Sequence, residues 1–467
     1  MTDMPTTSAR ARNPLFQYAG RPSLHQIVPL GLQHLVAAIV GIVTPAMIIS
    51  RLCGLDGADS TLLIQLSLVF SALATFLQLF PIGKIGSRLP VIIGISFAYL
   101  PTIQAMAQEY IAENPGDSRG AIAVILGAQI LGGVTAFFVG LFVKPIRRFF
   151  PPLVTGTVIF TIGISLYPTA VRYMAGGGGP SSNPMFGSWQ NWTVAAITLL
   201  IVIFFNYFTK GMCKLAAILI GMICGYVAAL LFTAAGAVPA DQPMLHYQNV
   251  VNAPWFQMFW PLHFGLKFVP SAIISMVIMY VVNSVQAIGD FSSTTMGGMD
   301  REPTDRELSG GIMASGLYSI FNSFFGVLPS ATFSQNVGIV TVTRVINRLV
   351  FAFAATAMLV AGLFPKFSAL LTTIPQCVIG GATISVFASI TMTGIRMITS
   401  SEMTPRNMGL VGLSIALGIG ITSVPGSLAG FPSWVTSVFG TSSVVIATLA
   451  AIILNLLLPN NREEEEE

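Results

Sequence analysis

The sequence predicts an all-α polytopic membrane protein of about fourteen transmembrane segments in two inverted seven-span repeats. Three observations predict it. Hydrophobic residues fill 54% of the 467 positions and charged residues only 9%, with a mean hydropathy of +0.78. Lysine and arginine gather on one of the two sides of the membrane that such a chain requires. Short proline–glycine motifs recur in both halves. A soluble domain carries roughly 25% charged residues, so this chain cannot cover a globule with polar surface. A cytosolic enzyme is excluded, and so is a disordered protein, whose composition is the reverse.

A spanning helix needs about 20 mostly apolar residues. Such runs begin near residues 26, 61, 121, 151, 192, 213, 269, 310, 349, 368, 408 and 436. Two further apolar stretches, 90–106 and 329–346, are interrupted by Pro, Ser, Thr, Gly and Asn. Counting both gives fourteen crossings and puts both termini on one side. With that side cytoplasmic, seventeen of the 22 Lys and Arg residues fall inside, including Arg10, Arg12, Arg148, Arg344, Arg396 and Arg462. Five fall outside: Arg51, Arg119, Arg172, Lys267 and Lys366. This is the positive-inside pattern, and omitting either interrupted segment would scramble it. The expected organisation is a cytoplasmic segment 1–25, a first repeat 26–235, an external loop 236–268, a second repeat 269–458 and an acidic cytoplasmic tail 459–467. The polar N-terminal segment reads as no cleavable signal. The expected location is the inner (plasma) membrane.

The halves correspond. Phe150-Pro151-Pro152-Leu153-Val154-Thr155-Gly156 opens the fifth span, and Ile374-Pro375-Gln376-Cys377-Val378-Ile379-Gly380 lies in the twelfth, with Pro, Val and Gly at identical spacing. The interrupted segments are third and tenth, and Ser96-Phe97 in one matches Thr332-Phe333 in the other. Seven spans is an odd number, so the second repeat is inverted. Paired broken segments in inverted repeats mark a transporter and point to its midplane site.

Ionisable groups within spans are functional candidates. Asp290 is the acidic residue deepest in an apolar stretch, at the end of the eighth span, with Gln286 one helical turn before it. His34 is the histidine within a span; His25 precedes the first, and His246 and His263 lie in the long loop. A helix-end carboxylate and a packing histidine are the plain alternatives for Asp290 and His34. Asn283 and Ser284 suggest interhelical hydrogen bonds. The tenth segment is the densest polar island, running from Ser330 to Arg344. Non-helical backbone is tolerated at that depth when it is buried or lines a cavity, so segments three and ten can pair as short strands. Half-helices starting just after them would aim N–H groups at the cavity. Phe97 and Phe333 supply aromatic walls, and side-chain amides suit a purine edge. Arg344, at the inner end of its half-helix, suits a structural role.

Gln335-Asn336-Val337-Gly338-Ile339-Val340-Thr341-Val342-Thr343-Arg344 matches the signature Q-N-x-G-x-x-x-x-T-R. With Gln33-His34, Ser96-Phe97-Ala98-Tyr99 and Gly289-Asp290, the chain resembles the nucleobase–ascorbate transporter family, also called nucleobase:cation symporter-2. The resemblance implies a core domain from spans one to four and eight to eleven and a gate domain from the rest. It further implies homodimers, elevator-type motion of core against gate, and proton symport. Gln335 falls where purine carriers place a substrate-binding glutamine; uracil members tend to have glutamate there and ascorbate members proline. Xanthine or uric acid is therefore the expected cargo. Phe97, Phe333, Ser334 and Asn336 match the substrate-flanking segments, Gly41 a small residue over the site, and His34 the histidine that organises it. Two positions depart from the family. Gln286 stands where most members have a proton-linked glutamate, and Ser315 where several purine members have aspartate. Asp290, with His34, is then the expected protonation site, because an amide carries no proton.

Two rivals are an anion transporter of the same fold and an uncoupled or sodium-coupled carrier of another nucleobase, such as uracil, guanine or hypoxanthine. An intramembrane enzyme has no motif in its favour, and the run Gly176–Gly179 lacks a P-loop lysine. Cys53, Cys213, Cys224 and Cys377 have no metal spacing and read as small buried hydrophobes. No cofactor, metal or nucleic-acid partner is expected, and Glu463–Glu467 read as a solvated end.

Overall fold

The structure is a computed structural model that describes residues 13–147, 151–179, 183–239, 244–245, 247–424, 426–440 and 442–459. Arg10, Arg12, Arg148, Phe150, His246, Arg462 and the terminal glutamates lie outside the described residues.

The first half contains α1 (Leu24–Leu52), α2 (Gly57–Leu79), β1 (Ile93–Ile95), α3 (Leu100–Glu113), α4 (Ser118–Leu141), α5 (Pro152–Ser165), α6 (Tyr167–Met174), α7 (Trp189–Phe208) and α8 (Ala217–Ala234). The second contains α9 (Pro270–Met299), α10 (Asp305–Phe325), β2 (Ser330–Thr332), α11 (Ser334–Thr343), α12 (Arg348–Leu363), α13 (Pro365–Thr372), α14 (Gln376–Ile398), α15 (Pro405–Ser423), α16 (Ser433–Phe439) and α17 (Ser443–Leu457). Several starts follow local chemistry. Ser23 and Thr304 form capping boxes with Gln26 and Glu307, which satisfy otherwise unpaired N–H groups. Pro152, Pro270 and Pro405 occupy first helical turns, where a missing N–H costs nothing.

Among the described residues, eight helices are long and apolar enough to cross a membrane, and α12 with α13, bent by 82°, would make a ninth. The fourteen-segment expectation is therefore only partly met by length and hydropathy. The third and tenth segments are broken into strand plus short helix, as expected. The twelfth starts at Gln376 rather than near 368, because α13 is a separate short helix ahead of Pro375. The fourteenth starts at Ser443 rather than near 436. A larger difference concerns the eighth. Asp290 is not at its end, because α9 continues to Met299. The Ser-Thr-Gly run after Asp290 does not look apolar, yet Thr294 and Thr295 turn their hydroxyls onto the carbonyls of Asp290 and Phe291, at 2.8 and 3.1 Å. Polar side chains satisfied this way stay in a buried helix.

β1 and β2 pair antiparallel, with Ile93 opposite Thr332, Gly94 opposite Ala331 and Ile95 opposite Ser330. They bring the two broken segments together. Helices α5 and α14, which carry the repeated Pro-Val-Gly motif, also pack antiparallel. A Cβ on Gly156 would meet Ile398 N at 2.8 Å, and one on Gly380 would meet Met174 N at 2.3 Å, at the end of α6, which completes the Pro152–Met174 span. The start of each span thus rests on the end of the other, as an inverted repeat demands.

Buried polar groups tie the bundle. Gln78 of α2 donates to the Gly311 carbonyl at 3.0 Å and accepts from Ser87 N at 2.8 Å. Asp59 is buried at the other end of α2, paired with Arg119 at 2.5 Å and His263 at 2.7 Å. Ser284 bonds the Tyr280 carbonyl of its own helix, 2.7 Å away, rather than a neighbouring helix, and Asn283 Oδ1 has no partner among the described residues. Cys53 and Cys377 are buried as expected, but Cys213 is exposed, because it sits on the short Met212–Leu215 turn rather than within α8.

Candidate functional site

The strand pair sits beside the middle of α9. The ladder extends past its ends through Phe333 N to the Ile92 carbonyl, at 3.0 Å, and Ser96 N to the Pro329 carbonyl, at 3.2 Å. Thr75 of α2 accepts from Ile93 N at 3.0 Å. Backbone groups at bilayer depth have no water to turn to, and these contacts pair them.

Asp290 projects from α9 onto the second broken segment. Its carboxylate accepts from Ser334 Oγ at 2.7 Å and from Thr332 Oγ1. One carboxylate thus grips the last residue of β2 and the first of α11. Charge-assisted hydrogen bonds of this kind are about twice as strong as neutral ones.

Next to this junction is a cavity of about 740 Å³. One wall comes from Ser96, Phe97, Gln286, Asp290, Phe333, Ser334 and Gln335; the facing wall comes from Ile159 and Ile162 of α5 and from Ser389, Thr393 and Arg396 of α14. Gln335 is exposed to it and Gln286 half-buried. Phe97 is held edge-on by Phe387, 5.4 Å between ring centres. The arrangement offers two amides, hydroxyls and aromatic faces to a planar solute. Arg396 is the one cation on its wall among the described residues. No pattern in the chain marks its place there, nor that of Ser389 and Thr393, because α14 contributes them from a distant segment.

Four expected residues do not line the cavity. Gly41 seats Phe333: a Cβ there would lie 2.4 Å from Phe333 Cε1. Asn336 faces α1, donating through Nδ2 to the His34 carbonyl and to His34 Nδ1, each at 3.0 Å. Nδ1 is an acceptor in that bond, so the proton sits on Nε2. The His34 ring lies 4.2 Å from that of Phe351. His34 therefore positions α11 through Asn336. Ser315 donates to the Gly311 carbonyl at 3.1 Å and accepts from Tyr318 at 3.2 Å. Arg344 also lies away from the cavity, pairing with Asp300 at 2.9 Å.

The family model described as Permease family matches residues 25–427. The chain is 33% identical over 433 residues to the uric acid permease PucK of Bacillus subtilis, covering 92% of this chain and 95% of that protein. It is 29% identical over 449 residues to the xanthine permease XanP of Escherichia coli, covering 95% and 94%. Among solved structures, it resembles the transmembrane domain of the cyanobacterial bicarbonate transporter BicA, with a TM-score of 0.58 and 15% identity over 93% of this chain and 98% of that one. At that identity the likeness shows the fold.

Proposed function

The chain belongs to the nucleobase–ascorbate permease family, in its xanthine and uric acid branch, and from that premise we propose that it imports xanthine or uric acid by proton symport across the plasma membrane. It is a transporter rather than an enzyme. One observation carries the choice of cargo: Gln286 and Gln335 share a cavity with Phe97 and Phe333, above a buried carboxylate. The amides hydrogen-bond the purine edge and the rings hold its faces. The backbone N–H groups of Ser334 and Gln335, which open α11, meet its oxygens.

Asp290 is the proton carrier in this reading. Ionised, it accepts from both Thr332 and Ser334. Protonated, one of its oxygens becomes a donor, and the hydrogen bond accepted by that oxygen weakens. Proton binding therefore loosens or reorients the start of α11, which also presents Gln335. Gln286 binds purine without titrating, and a neutral amide repels an anionic purine less than a carboxylate would. The core, bearing β1, β2, α9 and α11, moves against the α5–α14 gate in an elevator motion within a homodimer.

The test is uptake of radiolabelled xanthine and urate into proteoliposomes, with and without an inward proton gradient. Uptake that rises with the gradient and is competed by other purines is the expected result. Saturable uptake indifferent to protons refutes the coupling and favours sodium or no coupling. No purine uptake by folded protein refutes the cargo.

A further inference from the structure

A second cavity, of about 710 Å³, lies at the other end of α14. It is lined by residues 372–376, whereas the purine cavity meets α14 at Ser389–Met397. Residues 376 and 396 are about 30 Å apart along a helix rising 1.5 Å per residue. The second cavity also touches the C-terminal end of α1 and the glycine loop after α6.

Among its described lining residues the charged side chain is Arg51. Arg51 Nη2 donates to the carbonyls of Thr372, at 3.2 Å, and Ile374. Nη1 is buried with no partner among the described residues. Among those residues no carboxylate pairs with it. Carbonyls satisfy donors but do not neutralise a charge, and a buried charge without a counter-ion is costly. Neighbouring amides are committed to holding the loop. Asn183 donates to the Gly176 and Gly177 carbonyls at 2.9 and 3.3 Å, and Asn191 to the Met185 carbonyl at 2.8 Å. Gly177, at φ +73°, leaves no room for a Cβ, which would lie 1.2 Å from Gln376 Oε1. The loop is thus shaped around the Gln376 amide, on the wall that also carries Arg51.

We propose that this cavity is a second binding site, for a small oxyanion that neutralises the Arg51 guanidinium, with Gln376 beside it. Guanidinium groups suit such oxygens because they are weakly hydrated and present fixed N–H donors. The oxygen belongs either to an anionic purine such as urate or to inorganic phosphate. The site stands on its own geometry, apart from the role given to the purine cavity. Its occupant would touch both α1 and the segment entering α14.

The test is equilibrium dialysis of the full-length protein in nanodiscs, at fixed ionic strength, with labelled urate and labelled phosphate. Arg51→Gln is expected to weaken one binding component by at least about tenfold, the scale of a charged hydrogen bond. Gln335→Ala leaves that component intact. If the source is urate, wild type binds two per chain and Arg51→Gln one. If it is phosphate, one phosphate per chain is lost in Arg51→Gln while urate binding is unchanged. Arg51→Lys, which keeps the charge but not the second amino group, weakens the same component and serves if Arg51→Gln does not fold. Wild-type binding of neither anion at an Arg51-dependent site, or unchanged affinity in the folded variants, overturns the proposal. Failure of the purine reading would instead remove the Gln335-dependent component alone.

Discussion

Gly41→Ala tests whether Phe333 is a wall of the purine site and Gly41 its seat. A Cβ at residue 41 would lie 2.4 Å from Phe333 Cε1 and 3.1 Å from Cζ, where ordinary contact begins at 3.4 Å. The ring must retreat by about 1 Å. Behind it, a Cβ on Gly94 would be 2.7 Å from Phe333 Cε2 and 2.4 Å from Ile42 Cγ1, so that side is full. The ring's open side is the cavity. Overpacking costs about 1–3 kcal/mol, and replacing glycine by alanine within a helix returns about 0.5–1 kcal/mol. If the net, about 1–2 kcal/mol, falls on the purine-bound state, KM rises about 5- to 30-fold. The maximal rate should change little, because the loss is in uniform binding. The rise should be larger for urate, which carries one more oxygen, than for xanthine. The assay is proteoliposome uptake across a concentration series of each purine. Adding Phe333→Leu should relieve part of the effect. Wild-type KM values for both purines in folded Gly41→Ala would refute the placement of Phe333 against the purine.

Three further outcomes follow from the same geometry. Asp290→Asn keeps one acceptor but cannot titrate, so uptake should stop responding to the proton gradient while purine exchange persists; an unchanged pH profile refutes the proton role. Gly394→Val should prevent correct assembly, because a Cβ there lies 2.4 Å from the Phe160 backbone nitrogen and backbone cannot swing aside; a monodisperse, active variant on size exclusion would contradict that packing. Outside the spans, Lys267 and Tyr110 hold the Asp117 carboxyl down to about 2. A lowered acid pKa stabilises above its unfolded value and ceases to do so as pH falls through the folded one. The small melting difference between wild type and Asp117→Asn should therefore be constant from pH 8 to pH 5 and shrink only towards about pH 2, and a difference lost by pH 5 would be inconsistent with the clamp.

The fold class is legible in the chain alone. Helix-length apolar runs, charge asymmetry and the paired breaks at 90–106 and 329–346 are local or periodic signals, and a bilayer permits few solutions to them. Asp290, Gln286 and Gln335 were legible as polar residues in apolar surroundings. Which of the polar residues meet is set by the packing of the helices. Gly41, Asn336 and His34 look like site residues in the chain. Yet Gly41 seats a ring, while Asn336 and His34 bond each other across α1 and α11. Arg396 and Thr393 look like surface residues of a span, and the α5–α14 packing turns them onto the cavity. The extent of α9 beyond Asp290 was hidden for a related reason. Its threonines read as polar in sequence but satisfy themselves on the preceding turn. Periodicity records which face a residue occupies; what that face meets is set by the crossing of helices far apart in the chain.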